Sequence, residues 1–419
     1  MVTSGDRRLL PRRPVLLGIT PWVPSADAPY AGHQFYYRYL DRMSETFDVR
    51  LWAPDTDANR RSTSAETAWR VDLVAPAGAG RLTRAFGRAG VEMAALGIGG
   101  RGTVVPSLAG LLEQCKEPPD VVELCWSQTL PLAPQVRRLL PSAVLSAVQH
   151  DLYSETLRWS KLADLRLRQR ARDTLAGRLI AREEGRLFAS CDLVLTFKRS
   201  DRDLLARRGV KSDVVVLDPW LDGTGERCPS TTRKEVLFVG AFNRRENRLG
   251  AIWLLDHVWP GVLEEHPDAR LVLAGSGAGE DLVRRQDGSV TVTGYVEDLD
   301  LYYRSAHCVV APIFAGGGLR FKVPQALHYA IPLVATPEAL AGLEDRPAGC
   351  IAGVTDDAAE FTRRVNWTLS DQAAASAGAR LARSWVRERF SFDRSVAVVR
   401  DIYLRPRTWR DLCSQSRAD

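Results

Sequence analysis

Short, nearly continuous apolar runs recur along the chain at 15–20, 49–54, 71–76, 120–126, 142–151, 191–197 and 214–220, and again at 236–242, 270–277, 290–296, 307–313, 333–336 and 350–354. Apart from Val-Thr-Val-Thr at 290–293 they do not alternate in the way a half-exposed strand does, and each predicts a strand of a parallel sheet. Between them lie stretches with helical spacing, including 35–47, 155–190, 250–265, 357–369, 372–388 and 390–405. Strand–helix alternation of this kind predicts doubly wound α/β architecture. The run 222–235, DGTGERCPSTTRKE, is polar and has no hydrophobic period, and it reads as a linker between two such halves.

Composition narrows the class. A chain of 419 residues with 45% hydrophobic and 26% charged residues holds two or three ordinary globular domains. The formal charge is +6, and only 6 of the 57 basic residues are Lys. Two readings fit this Arg excess: solvated helix faces, or attraction to anionic substrates or a membrane surface. No basic block with interleaved aromatics occurs, so no nucleic-acid partner is expected. Seven scattered cysteines without a Cys-x-x-Cys pair predict reduced, buried thiols. The six histidines form no His-x-x-x-His pair, and no metal site is expected. Residues 1–14 are charged without an apolar core, and the expected location is cytoplasmic, with peripheral contact at the inner membrane face as a further option. For that contact the segment 78–102, which mixes Arg with Leu, Phe, Val and Met, is the candidate; a surface helix packed on the sheet is the favoured reading of it.

Candidate chemistry concentrates in 314–343, FAGGGLRFKVPQALHYAIPLVATPEALAGL. Gly316, Gly317 and Gly318 allow backbone amides to approach an anion; Leu319 follows, and Arg320 and Lys322 add full charges beside the start of a helix running from Val323. Pro324 suits a first helical turn, where its missing N–H is no loss. This predicts a diphosphate cradle, with an ordinary tight turn as the alternative. Gly240 ends an apolar strand, where a ligand backbone or phosphate can come close, and Asn243 follows it. Gly275, Gly277 and Gly279 make Gly-x-Gly-x-Gly, whose spacing does not fit a dinucleotide fingerprint. In the N-terminal half the loop around Gly32 and the strand end at His150 face the expected cleft. His33 reads as a cleft residue or a loop-surface histidine, and Ser200 or Asp201 as the cap of a helix.

The stretches 235–277, 292–318 and 314–343 resemble retaining glycosyltransferases of the GT-B fold, family 4 type, one branch of which reads Gly-Gly-Gly-x-Arg-x-Lys-x-x-Glu-Ala in the last of them. The N-terminal half is similar only in outline. The resemblance implies two Rossmann-like doubly wound domains facing across a cleft: an acceptor-side domain 1–221, the linker 222–235, a nucleotide-sugar domain 236–389, and a helix 390–419 that returns to the first domain. It implies transfer of a sugar from a nucleotide-sugar donor, a substrate rather than a cofactor, to a hydroxyl of a polysaccharide, lipid-linked or small natural-product acceptor. The anomeric configuration is retained and no metal is obligatory. It places His150 on the donor sugar, Arg320 and Lys322 on the leaving diphosphate, and Gly32, Gly240, Asn243, Gly317, Gly318 and Leu319 around the donor. Tyr295, Val296 and Leu299 fall at the base.

The sequence departs from the family pattern at Gln325, where a Glu accepts hydrogen bonds from the ribose diol. Gln offers one acceptor and one donor group, which leaves weaker ribose binding or a silent protein open. The other two functions weighed are accordingly a catalytically silent GT-B partner subunit and a sugar-nucleotide epimerase.

Overall fold

The computed structural model describes residues 12–28, 31–63, 67–74, 117–150, 167–228, 234–315 and 319–405, together with positions 112, 152 and 154. Gly316, Gly317, Gly318, Asp151 and the segment 78–102 lie outside the described residues. Two parallel sheets organise the chain. The first contains β1 (Val15–Ile19), β2 (Asp48–Pro54), β3 (Arg70–Val74), β4 (Val121–Cys125), β5 (Val144–Val148), β6 (Leu193–Thr196) and β7 (Asp213–Val216) in the order β3-β2-β1-β4-β5-β6-β7. The second contains β8 (Glu235–Val239), β9 (Arg270–Ala274), β10 (Val290–Gly294), β11 (Cys308–Ala311), β12 (Leu333–Ala335) and β13 (Gly353–Val354) in the order β10-β9-β8-β11-β12-β13. All pairings within both sheets are parallel. Each order reverses direction beside its first strand, between β1 and β4 and between β8 and β11, and such a switch point opens a crevice at the strands' carboxyl ends. This is the GT-B arrangement of two Rossmann-like domains.

The apolar runs form strands because both sheet faces are covered: β1, β4, β5 and β11 are buried at every position. Helix α1 (Ala31–Ser44) begins four residues before the expected start at Phe35, taking in Ala31, Gly32 and His33. Farther along are α2 (Asp57–Ser62), α3 (Ala133–Leu139), α4 (Leu167–Phe188) and α5 (Arg199–Arg207). Neither Ser200 nor Asp201 caps α5. The cap position is Lys198, and the buried Asp201 carboxylate instead pairs with the Lys198 ammonium at 3.1 Å. The expected helix 250–265 is split into α6 (Arg245–Trp253), a π-helical turn (Leu254–Val258) and α7 (Trp259–Glu265). Pro260, without an N–H, cannot carry the α-helical ladder across that point.

The other α-helices among the described residues are α8 (Glu280–Val283), α9 (Asp300–Ser305), α10 (Lys322–His328), α11 (Ala358–Ser370), α12 (Gln372–Arg389) and α13 (Phe392–Leu404). Helix α13 lies against α1 of the first domain, and a buried carboxylate fixes it there. Glu123 of β4 accepts from the hydroxyls of Tyr36 (3.0 Å), Tyr39 (2.5 Å) and Tyr403 (2.7 Å), the last from α13. Burial pushes the Glu123 carboxyl up, and the three tyrosine hydrogen bonds work against that shift. Ion pairs Arg389–Asp218 (2.7 Å) and Arg42–Asp393 (3.1 Å) tie the same C-terminal helices to the first domain.

The linker is pressed against α10 and α9. At Gly223, φ is +73°, and a Cβ would lie 1.8 Å from the Tyr329 hydroxyl and 2.2 Å from Asp300, so no other residue fits.

Candidate active site

The carboxyl ends of β8 and β11 and the start of α10 form the C-terminal wall. Gly240 follows β8, and a Cβ there would stand 2.9 Å from Asn247 and 3.2 Å from the Lys322 amine. The glycine thus opens the space into which Lys322 reaches from the first turn of α10. Its Nζ donates to Asn247 Oδ1 at 2.7 Å and lies 4.7 Å from the centroid of Phe238. Desolvation, and then the positive fields of Arg320 and Arg244, push the ammonium down to about 7, while Glu246 pulls the other way. Arg320 is buried, 3.5 Å from both the Ala315 carbonyl and the Glu338 carboxylate. Burial raises the Glu338 carboxyl, opposed by Arg320 and by Lys198 of the other domain. Burial also opposes the charge on Glu246. Arg244, 2.7 Å away, its own backbone amide and Arg320 outweigh it and hold that carboxyl below its ordinary value. The Val323 amide already donates to the Arg320 carbonyl (2.8 Å).

Opposite stands a wall of rings at the ends of β1, β4, β5 and β6. His150 is clasped between Trp126 (4.5 Å, 20°) and Phe197 (4.9 Å, 22°). Its Nδ1 faces Gly32, where a Cβ would lie 3.1 Å away, so the two positions expected from sequence meet at the start of α1. Burial lowers His150 to about 3, with help from His33, and burial lowers His33 to about 4; both imidazoles are neutral at pH 7. His33 packs on Trp22 (5.5 Å, 28°) and meets Trp126 edge-on at 5.2 Å, which places it among the cleft rings. Trp126 has φ +65°, a left-handed conformation that costs a bulky residue roughly 1–3 kcal/mol.

The two walls touch through Phe321, which sits between Arg320 and Lys322 and contacts Phe35 (6.4 Å), Phe197 (6.1 Å) and Trp220 (5.9 Å) of the first domain. Lys198 crosses in the other direction. A Cβ at Gly342 would lie 3.1 Å from its Cγ and 3.2 Å from Leu319, which is buried in this contact. Tyr295 is half exposed, and its hydroxyl donates to the Asp27 carbonyl at 2.9 Å, closing the cleft beside the partly buried Val296.

Two expected residues stand apart. Asn243 is exposed beside Gly277 and lines a pocket of about 490 Å³ with Arg248 and Arg284. Gln325 points to the linker: its Nε2 donates to the Asp222 carbonyl (2.6 Å) and its Oε1 accepts from the Asp222 amide (3.1 Å). An amide side chain matches a peptide group in both directions, which a carboxylate cannot do. Sequence reasoning passed over Glu338, Lys198, Trp22 and Trp126. Their signal is three-dimensional: the field of Lys198 on Glu338 across the cleft, a ring contact and a backbone angle.

Comparisons with known proteins bear on the fold and on the sequence of the C-terminal half. Residues 233–371 match the family model for glycosyl transferases, group 1. An uncharacterized 44.6 kDa protein in the cps region of Klebsiella pneumoniae is 31% identical over 110 residues; the match spans 24% of this chain and 28% of that protein's length. Among solved structures, sucrose-phosphate synthase from Thermosynechococcus elongatus superimposes with a TM-score of 0.67 at 18% identity, covering 96% of this chain and 100% of that one. Anabaena HepE in complex with UDP-glucose gives 0.64 at 11% identity, covering 93% and 98%. WaaG, a glycosyltransferase involved in lipopolysaccharide biosynthesis, gives 0.62 at 14%, covering 94% and 100%. The fold is that of the GT-B glycosyltransferases, and residues 233–371 carry the sequence pattern of glycosyl transferases group 1.

Proposed function

We propose that this protein transfers a sugar from a nucleoside-diphosphate sugar to an acceptor hydroxyl, with retention at the anomeric carbon. The observation that carries this reading is the paired cation site at the second switch point, where Lys322 reaches the space beside Gly240 within the field of Arg320. HepE, similar in fold, is known in complex with UDP-glucose, which supports a nucleotide-sugar donor here.

The chemistry follows from the charges. Cleavage of the glycosidic bond to phosphate leaves negative charge on the departing diphosphate. Lys322 and Arg320 stand ready for it in a partly desolvated wall, where a fixed cation stabilises developing charge more than it would in water. Glu338 and Asn247 hold these cations in place before the donor arrives. His150 is kept neutral and clamped on both faces, so it offers the donor sugar a hydrogen bond rather than a charge. The departing phosphate oxygen takes the acceptor's proton on the face it leaves, which accounts for retention. The contacts of Phe321, Lys198 and Tyr295 across the cleft keep water from the donor.

Thermal-shift measurements with UDP, GDP, ADP, TDP and CMP, with and without Mg²⁺, test the reading. A ligand that binds only the folded state raises the melting temperature by mass action. One nucleoside diphosphate is expected to raise it in the wild type and to lose most of that effect in Lys322→Ala. No shift with any of the five would overturn the donor assignment. With the donor known, the NMR coupling of the product's anomeric proton reports retention or inversion.

A further inference from the structure

The loop after β1 presents an indole to the cleft, and several buried groups hold it there. Trp22 is 38% exposed, while its neighbours in the chain are anchored. The buried Asn59 side chain donates to the carbonyls of Pro21 (3.1 Å) and Pro54 (2.8 Å) and accepts from the Val23 amide (3.0 Å). Buried Thr20 donates to the Trp22 carbonyl at 2.8 Å. Tyr295 of the second domain donates to the Asp27 carbonyl of the same loop, which sets the loop at the mouth of the cleft. One ring face of Trp22 lies on His33, and its edge contact with Trp126 (5.6 Å, 87°) braces it from a second direction.

The brace itself is held in a costly conformation. The left-handed turn at Trp126 is fixed by its amide on the Val148 carbonyl (2.9 Å) and by Thr129, whose amide (3.1 Å) and hydroxyl (2.9 Å) both donate to the Trp126 carbonyl. A glycine would take this backbone without penalty. Keeping a bulky indole there, at a strand end of the switch point, is the kind of outlier that marks a binding site. Neutral His33 between the two indoles adds a hydrogen-bonding edge to an otherwise apolar surface. An exposed indole beside a neutral imidazole at the mouth of the cleft fits a ligand that has an apolar C–H face and hydroxyls around it.

We infer that Trp22 is the stacking surface for a pyranose ring of the acceptor, with Trp126 and His33 as the residues that position it, so that the acceptor is a carbohydrate or carries a sugar at its reacting end. This rests on the transferase reading above and names its acceptor class.

The test uses the full chain, saturation-transfer NMR and a panel of methyl pyranosides of glucose, galactose, mannose and N-acetylglucosamine. Spectra are taken with and without whichever nucleoside diphosphate raises the melting temperature. At least one glycoside is expected to receive saturation mainly on the protons of one ring face. Trp22→Ala should weaken its binding about tenfold, the scale of losing one stacked indole. Trp126→Gly should weaken binding too, while its nucleotide shift persists. A role of Trp22 in packing alone would lower the melting temperature of Trp22→Ala and leave the glycoside untouched.

Absence of saturation transfer to every glycoside, or equal binding by wild type and Trp22→Ala, overturns the proposal. So does Trp22-dependent binding to phosphatidylglycerol vesicles without a glycoside signal. A nucleotide shift that survives any of these results leaves the donor reading standing. Loss of the nucleotide shift in the wild type itself removes that reading instead.

Discussion

At the carboxyl edge of the first sheet the side chains facing the cleft are Trp22, His33, Trp126, His150 and Phe197; at the same edge of the second sheet they are Lys322, Arg320, Asn247 and Glu246. Both sheets run through their first five strands in the same relative order and reverse at the same point. One wall is nonetheless made of rings with two uncharged imidazoles, and the other of cations held by a carboxamide and carboxylates. The fold supplies two equivalent crevices, and the residues at the strand ends decide what each can hold. An apolar wall with neutral hydrogen-bonding groups suits a polyhydroxylated ligand; a cationic wall with a glycine at its centre suits an anion.

The sharpest way to break this division is to remove charge from the second wall. Lys322→Met and Arg320→Ala are expected to lower kcat/KM by about 10²–10³-fold each, the scale of losing one fixed group that stabilises transition-state charge. The melting temperature should hold or rise in Lys322→Met, because an ammonium that pays for desolvation is replaced by an apolar side chain of similar length. Steady-state kinetics beside a thermal melt separate the two effects. Near-normal turnover in both variants would remove the anion assignment and the comparison with it.

A smaller effect tests whether Gln325 belongs to that wall or to the linker. In Gln325→Glu the side chain can no longer donate to the Asp222 carbonyl, and the new carboxylate faces that oxygen at the 2.6 Å now bridged by a hydrogen bond. The variant is expected to lose about 1 kcal/mol of stability, the usual value of one partly exposed hydrogen bond, and to gain no activity. Urea denaturation reads the first and turnover the second. Higher turnover with unchanged stability would return Gln325 to the ribose and leave its pairing with Asp222 incidental.

Gln325 also shows where sequence reading reaches its limit. The strands were legible because a parallel strand covered on both faces must be continuously apolar, and such runs stand out in a chain rich in Arg. The convergence of Gly240 with Lys322, and of Gly32 with His150, was legible because strand ends and loop-to-helix junctions meet at switch points in this architecture. What Gln325 binds was not, since its partner is a peptide group 103 positions away that no pattern marks. Trp22 and Trp126 were hidden for another reason. Trp126 closes an apolar run, where a tryptophan reads as core, and Trp22 opens a loop that carries no pattern; only the φ of Trp126 and the anchored backbone at Trp22 mark them. Helix α1 takes in Ala31 and Gly32, poor signals for a start, and Gly32 lies against His150.

The finest difference between the walls is in protons. The histidines of the first wall, lowered to about 4 and about 3, stay uncharged through the neutral range. Lys322, lowered to about 7, is half protonated there without ligand. An incoming diphosphate adds negative charge beside it and raises its pKa, so binding must draw in a proton, about half of one per site at pH 7. The sign follows: affinity falls as pH rises from 7 to 9, by about 0.7 kcal/mol per unit near pH 7 and more steeply above it, as the free amine loses its last protons. Calorimetric titration of the nucleoside diphosphate in two buffers of different ionisation enthalpy measures the uptake directly. Lys322→Met should abolish it, whereas His150→Gln should leave it intact, because that imidazole is neutral before and after binding. Uptake that persists in Lys322→Met and vanishes in His150→Gln would place the titrating group on the wall of rings and reverse the assignment of charge between the two halves of the cleft.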